Sequence, residues 1–163
     1  RSGQPPSVQR MGPNPNPPRT EGRYNHHGQR VFYLASVAEA AVAEVGDCTD
    51  GKVWLQKFRV KGFKKVLDLR TQYAEGHFGD ETVPLIAAGI VWTQATMAPA
   101  DPDSEWKPQY FLPRYIADCA RSQGFRGVVF DSKKHSATNL VMFEWTDEEV
   151  IPVDEPSSYE EAT

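Results

Sequence analysis

A five-residue apolar run, Val31-Phe32-Tyr33-Leu34-Ala35, followed at once by Ser36 and an alanine-rich stretch, constrains the fold of this chain more than any other feature. Branched and aromatic residues in so short a run read as a buried strand. Ser36 with Glu39 three residues later predicts a capping box, and Val37 to Val45 predicts a helix that Gly46 stops. The rest of the chain does not repeat this strand-turn-helix beat. Thr49-Asp50-Gly51 reads as a turn, and Val53 to Val60 alternates like a strand. Lys65 to Leu69 predicts a further strand.

Residues 71 to 110 carry little pattern beyond a helical stretch at Thr82 to Ala88 that Pro84 interrupts. A helix returns at Tyr110 to Ser122, where Leu112, Tyr115, Ile116 and Cys119 share a face and Gly124 marks the stop. Gly127 to Phe130 and Asn139 to Phe143 predict two more strands. There is no internal repeat, no G-x-G-x-x-G after a strand, and no glycine-rich loop ending in Lys-Ser or Lys-Thr. Doubly wound nucleotide folds and P-loop enzymes are therefore disfavoured. The pattern predicts a single α+β domain with a mixed or antiparallel split sheet flanked by helices.

The two ends differ from the middle. Six of the thirteen prolines fall in the first thirty residues, in runs such as Asn14-Pro15-Asn16-Pro17-Pro18. Proline has no N–H and restricts its neighbour, so this stretch reads as a disordered tail or as an ordered loop folded over a site. The expected organisation is a proline-rich segment over 1–21, a folded domain over 22–153, and an acidic, fraying tail over 154–163.

With 163 residues there is enough chain for one domain with a core. A net charge of −4 leaves no polybasic footprint, which argues against direct nucleic-acid binding. Anionic small molecules stay open, because a few placed arginines can bind phosphates in an acidic protein. Cys48 and Cys119 have no metal-binding spacing, and reduced thiols are a simpler expectation than a disulfide. His26, His27, His77 and His135 also lack ligand spacing, so no metal is expected. No apolar run reaches the roughly 20 residues that a bilayer demands. The chain opens at Arg1 rather than Met, which reads as an excised or processed stretch.

A few residues could carry chemistry. Glu44 follows Val37, Ala40 and Ala41 by seven, four and three positions, so it shares a helix face with small apolar residues. A carboxylate there pairs with a cation, works, or is simply a good helix former on an exposed side. Arg23, in Gly22-Arg23-Tyr24-Asn25, could hold phosphate oxygens bidentately, although loop arginines are commonly just solvated. Arg10 and Arg19 have weaker cases. Tyr33 alternates with Phe32, so only one of the two faces the main core. Ser132 directly follows a strand, where polar site residues gather, but Asp131-Ser132-Lys133-Lys134 could equally be a turn. It has no G-x-S-x-G elbow, which argues against an acyl-transfer nucleophile.

Taken in order, these stretches resemble the RES domain, a family named for its arginine, glutamate and serine. The resemblance rests on Arg10, on Gly22-Arg23-Tyr24-Asn25-His26-His27-Gly28, and on Phe32-Tyr33-Leu34-Ala35-Ser36. It continues through Ala41-Val42-Ala43-Glu44-Val45, Gly127-Val128-Val129-Phe130-Asp131-Ser132 and Asn139-Leu140-Val141-Met142-Phe143. It spans roughly residues 10 to 144. Met11 departs from the pattern, standing where an aromatic is expected.

The resemblance implies a fold related to the ADP-ribosyltransferases and an enzyme that breaks the nicotinamide–ribose bond of NAD⁺ inside bacterial cells. It implies that Arg10 and Arg23 hold the dinucleotide, with Tyr33 in the pocket, Glu44 as the catalytic carboxylate and Ser132 as the family serine. NAD⁺ would be substrate rather than cofactor, with water or phosphate as co-substrate. Protein ADP-ribosylation, or a catalytically silent interaction module, are the alternatives. The implied partner is an Xre-type antitoxin or, for a piece of a larger secreted effector, an immunity protein. Action in the cytoplasm and assembly into oligomers belong to the same expectation.

Overall fold

The sheet forms where the branched and aromatic runs lie. The computed structural model describes residues 5–14, 16, 18, 21–45, 53–70, 107–132 and 135–159. They make a short helix α1 (Val8–Met11), strand β1 (Phe32–Ala35), helix α2 (Ala38–Val45), and strands β2 (Val53–Val60) and β3 (Val66–Asp68). A turn of 3₁₀ helix (Pro108–Tyr110) then leads into α3 (Phe111–Ser122), followed by β4 (Gly127–Asp131), β5 (Thr138–Met142) and β6 (Val150–Tyr159). The expectations for Gly46, for the turn at 49–51 and for a helix at 82–88 lie outside the described residues, as do Arg19, Cys48 and His77.

Four strands form one sheet in the order β1-β5-β4-β3, and β2 with β6 forms a second, two-stranded sheet. β3 runs parallel to β4 while the other pairs are antiparallel, so the first sheet is mixed. The chain is a single α+β domain with a split sheet flanked by helices, as its pattern predicts. Register puts Tyr33 opposite Val141, and Ala35 opposite Asn139. On the far side of β5, Asn139 pairs with Phe130 and Val141 with Val128. Alternation therefore sends Tyr33, Ala35, Asn139, Val141, Val128 and Phe130 to one face.

That face holds the core. Val128, Phe130 and Val141 pack with Tyr24, Phe143 and the α3 residues Ala117 and Ala120. The opposite face meets the second sheet, where the Phe32 ring lies edge-on to Phe58 at 5.3 Å. The two sheets are also tied at one end by Arg126, whose Nη1 and Nη2 donate to the two carboxylate oxygens of Glu149 at 2.7 Å each.

Three expectations give way. Ser36 does not cap α2; its Oγ accepts from the Thr138 N–H at 3.1 Å while its own N–H donates to Thr138 O, prolonging the β1–β5 ladder. Sheet pairing claims the hydroxyl before the helix can. The expected apolar face of α3 is not its buried one: Pro113, Arg114, Ala117 and Ala120 face inward, while Tyr115 and Cys119 are exposed. Alanines let the helix approach a sheet that already supplies bulky rings, whereas larger side chains would hold it off.

The stretch from Asp154 does not fray at its start, because β6 stays paired to β2 as far as Tyr159. Among the described residues β6 pairs with β2, and its prolines fit an edge that needs no N–H donors. At the register shift between Leu55 and Lys57, the Gln56 side chain donates to the carbonyls of Val153 and Asp154.

Candidate active site

Glu44 lies one turn beyond buried Ala40 on the sheet-facing side of α2, at the end where the helix leaves cover and the residue becomes exposed. Its carboxylate is nonetheless held. Oε1 accepts from Ser132 Oγ at 3.2 Å and from Asn139 Nδ2 at 3.1 Å. Ser132 is the residue after β4, and alternation from Phe130 places it on the same face as Asn139. Both donors converge on one oxygen, and no described residue donates to Oε2. The bonds thus set the orientation of the group while leaving half of it for a ligand.

Arg23 sits in a tight turn closed by a bridge between Gly22 and Asn25. Gly22 is required by close approach: a Cβ there would meet the Asn25 side chain and the Tyr33 hydroxyl. That hydroxyl accepts from the Tyr24 N–H and donates to Asn25 Oδ1, at 3.1 Å each. Tyr33 is 41 % exposed, although its hydroxyl is held between Tyr24 and Asn25. Burial of that end pushes its phenol up to about 12, and burial likewise raises Tyr24. The Arg23 guanidinium lies over the Tyr110 ring at 5.2 Å. Tyr33 and Asn139 are linked through β5, since Val141 is the cross-strand partner of Tyr33 and Asn139 lies two residues along the same face. Two residues of strand advance about 7 Å. The arginine turn, Tyr33 and the Glu44–Ser132 pair therefore line one face of the sheet.

Arg10 is placed elsewhere. It is an exposed residue of α1, which leans on β2 and β6. It takes no part in the hydrogen bonds around Glu44.

A family model of the RES domain matches residues 4–163, essentially the whole chain. The chain belongs to the RES domain family. The family is generally associated with toxin–antitoxin modules and generally paired with an antitoxin. No curated protein matches the chain.

Within this RES domain, the arginine turn is seated by residues that sequence reasoning passed over. Arg114, a buried residue of α3, donates from Nε to the Gly22 carbonyl at 3.0 Å and pairs with Glu21 at 2.6 Å. Its guanidinium also lies 5.5 Å from the Tyr110 ring centre, so that ring carries two arginines. A second anchor joins His26 Nε2 to Asp118 at 2.8 Å, and Arg121 donates to the Tyr24 carbonyl at 3.3 Å. Burial depresses Arg121, and the charge of Asp118 offsets part of that effect.

Asn139 was visible only as part of the Asn139-Leu140-Val141-Met142-Phe143 motif, without a role. The available signal was a lone polar side chain in an apolar strand. For Arg114 it was an arginine three residues before Ala117 on a helix with an alanine face. Among the described residues no helix is long and apolar enough to cross a membrane.

Proposed function

We propose that this RES domain cleaves the nicotinamide–ribose bond of NAD⁺, using Glu44 as the catalytic carboxylate. The observation that carries the reading is the Glu44 carboxylate, exposed but fixed by Ser132 and Asn139, on the face that also carries Tyr33 and the arginine turn. Breaking the bond sends its electron pair out with neutral nicotinamide and leaves oxocarbenium character on the ribose. A fixed carboxylate facing that carbon stabilises the developing positive charge without having to reorganise. Water then bonds to the same carbon and passes its proton to solvent, or phosphate bonds to it through an anionic oxygen. Arg23 neutralises the pyrophosphate, and the exposed Tyr33 ring packs against the nicotinamide. Arg10 completes the phosphate site only if the dinucleotide reaches α1. The fold relationship to ADP-ribosyltransferases belongs to this reading, as do action in the cytoplasm and an Xre-type antitoxin that covers the pocket.

The test is to incubate the chain with NAD⁺ labelled in its adenylate half and follow free nicotinamide. Release of nicotinamide with label in ADP-ribose, or in its 1″-phosphate when phosphate is supplied, is the expected result. Label on a protein band would redirect the reading to ADP-ribosyl transfer, and no nicotinamide release would contradict it.

A further inference from the structure

Asn139 is only 6 % exposed, in the interior strand β5 between β1 and β4. Its Nδ2 donates to Glu44 Oε1 at 3.1 Å, while its Oδ1 is buried with no hydrogen-bond partner. Buried polar atoms are normally satisfied, and the exceptions cluster where a requirement other than stability is met. Turning the amide over would not relieve the orphan, because Oδ1 would then oppose the Glu44 carboxylate, acceptor against acceptor. Pairing with Ala35 on one side and Phe130 on the other holds Asn139 rigidly, so its donor is presented at a fixed place. The second donor on the same oxygen, Ser132, directly follows β4, where its own N–H donates to the Ala137 carbonyl at 2.8 Å. Asp131 beside it alternates to the opposite face.

We infer that Asn139 is a positioning residue that fixes the Glu44 carboxylate for reaction, and that its unpaired oxygen is retained as a consequence. The inference rests on the reading of Glu44 as the catalytic carboxylate. It assigns to strand β5 a share in the grip on Glu44 beside that of Ser132.

Asn139→Leu has no donor at any pH, and misplacing a reacting group typically lowers kcat by on the order of 10²-fold, with KM little changed. Asn139→Asp provides a donor only while its new carboxyl is protonated. Two carboxyls this close share a proton and then lose it, so kcat should acquire a falling limb toward high pH that the wild-type chain lacks. A folded Asn139→Leu with wild-type kcat, or an Asn139→Asp profile parallel to wild type, overturns the inference.

A further measurement does not depend on either variant folding. The Asn139 side-chain amide resonances of the wild-type chain should move in Glu44→Gln, which changes the acceptor that Nδ2 meets. Amide signals unmoved by that substitution would also overturn it. A wild-type chain that releases no nicotinamide from NAD⁺ removes the reading of Glu44 and the inference together. An active wild type with an inactive Glu44→Gln, and Asn139 variants that match wild type, removes the inference alone.

Discussion

A methyl group at position 22 would sit 2.9 Å from the Tyr33 hydroxyl and closer still to Asn25. Because the Gly22–Asn25 turn carries Arg23, Gly22→Ala should damage stability and ligand binding together. Overpacking of this kind costs about 1–3 kcal/mol, which a shift in the denaturant midpoint would report. A variant as stable as wild type, with unchanged NAD⁺ affinity, would show that the turn can give way. At this scale part of the site could be read beforehand. Glu44 stood out because a carboxylate sharing a helix face with Val37, Ala40 and Ala41 is anomalous, and Arg23 because glycine precedes it. Asn139 and Arg114 did not, since a single polar residue in an apolar strand or an alanine-faced helix reads as incidental until its partners are placed. Those partners, Glu44 and Gly22, lie 95 and 92 residues away in the chain.

Short apolar runs bounded by turn residues locate the strands β1 to β5 to within a residue or two, because branched and aromatic residues mark each of them locally. β6 was invisible for the converse reason. Val150 to Tyr159 contains two prolines and two acidic residues, and its pairing to β2 makes it a strand. The size of its apolar residues does not indicate the buried face of α3, because close packing against Tyr24, Phe130 and Phe143 favours the alanines. The clasp between the two sheets has a pH signature. The Arg126 guanidinium, with help from Thr146, holds the Glu149 carboxyl down from 4.5 to about 2. A depressed carboxyl contributes stability above its unfolded pKa, and that contribution is lost as pH falls through its folded value. Stability should therefore decline from about 4.5 down to about 2, and Glu149→Gln should flatten that part of the profile. Equal slopes for the two proteins in acid unfolding would count against the clasp.

Across the whole molecule, one face of the mixed sheet is divided between a core under α3 and a polar rim where β1, β4, β5 and the end of α2 meet. No local pattern reports this division, because Glu44, Ser132 and Asn139 are brought together by the sheet order β1-β5-β4-β3 and not by spacing. Their order along the chain gave the family resemblance, while the fold gives their contact. In the proposed reaction Glu44 acts on the reacting bond rather than merely decorating the rim. Its most direct test compares Glu44→Gln with wild type in nicotinamide release from saturating NAD⁺, alongside NAD⁺ affinity measured by calorimetry. The expected result is a fall in turnover of roughly 10²–10³-fold, the usual loss for one preorganised electrostatic group, with affinity nearly unchanged. Turnover equal to wild type would contradict it.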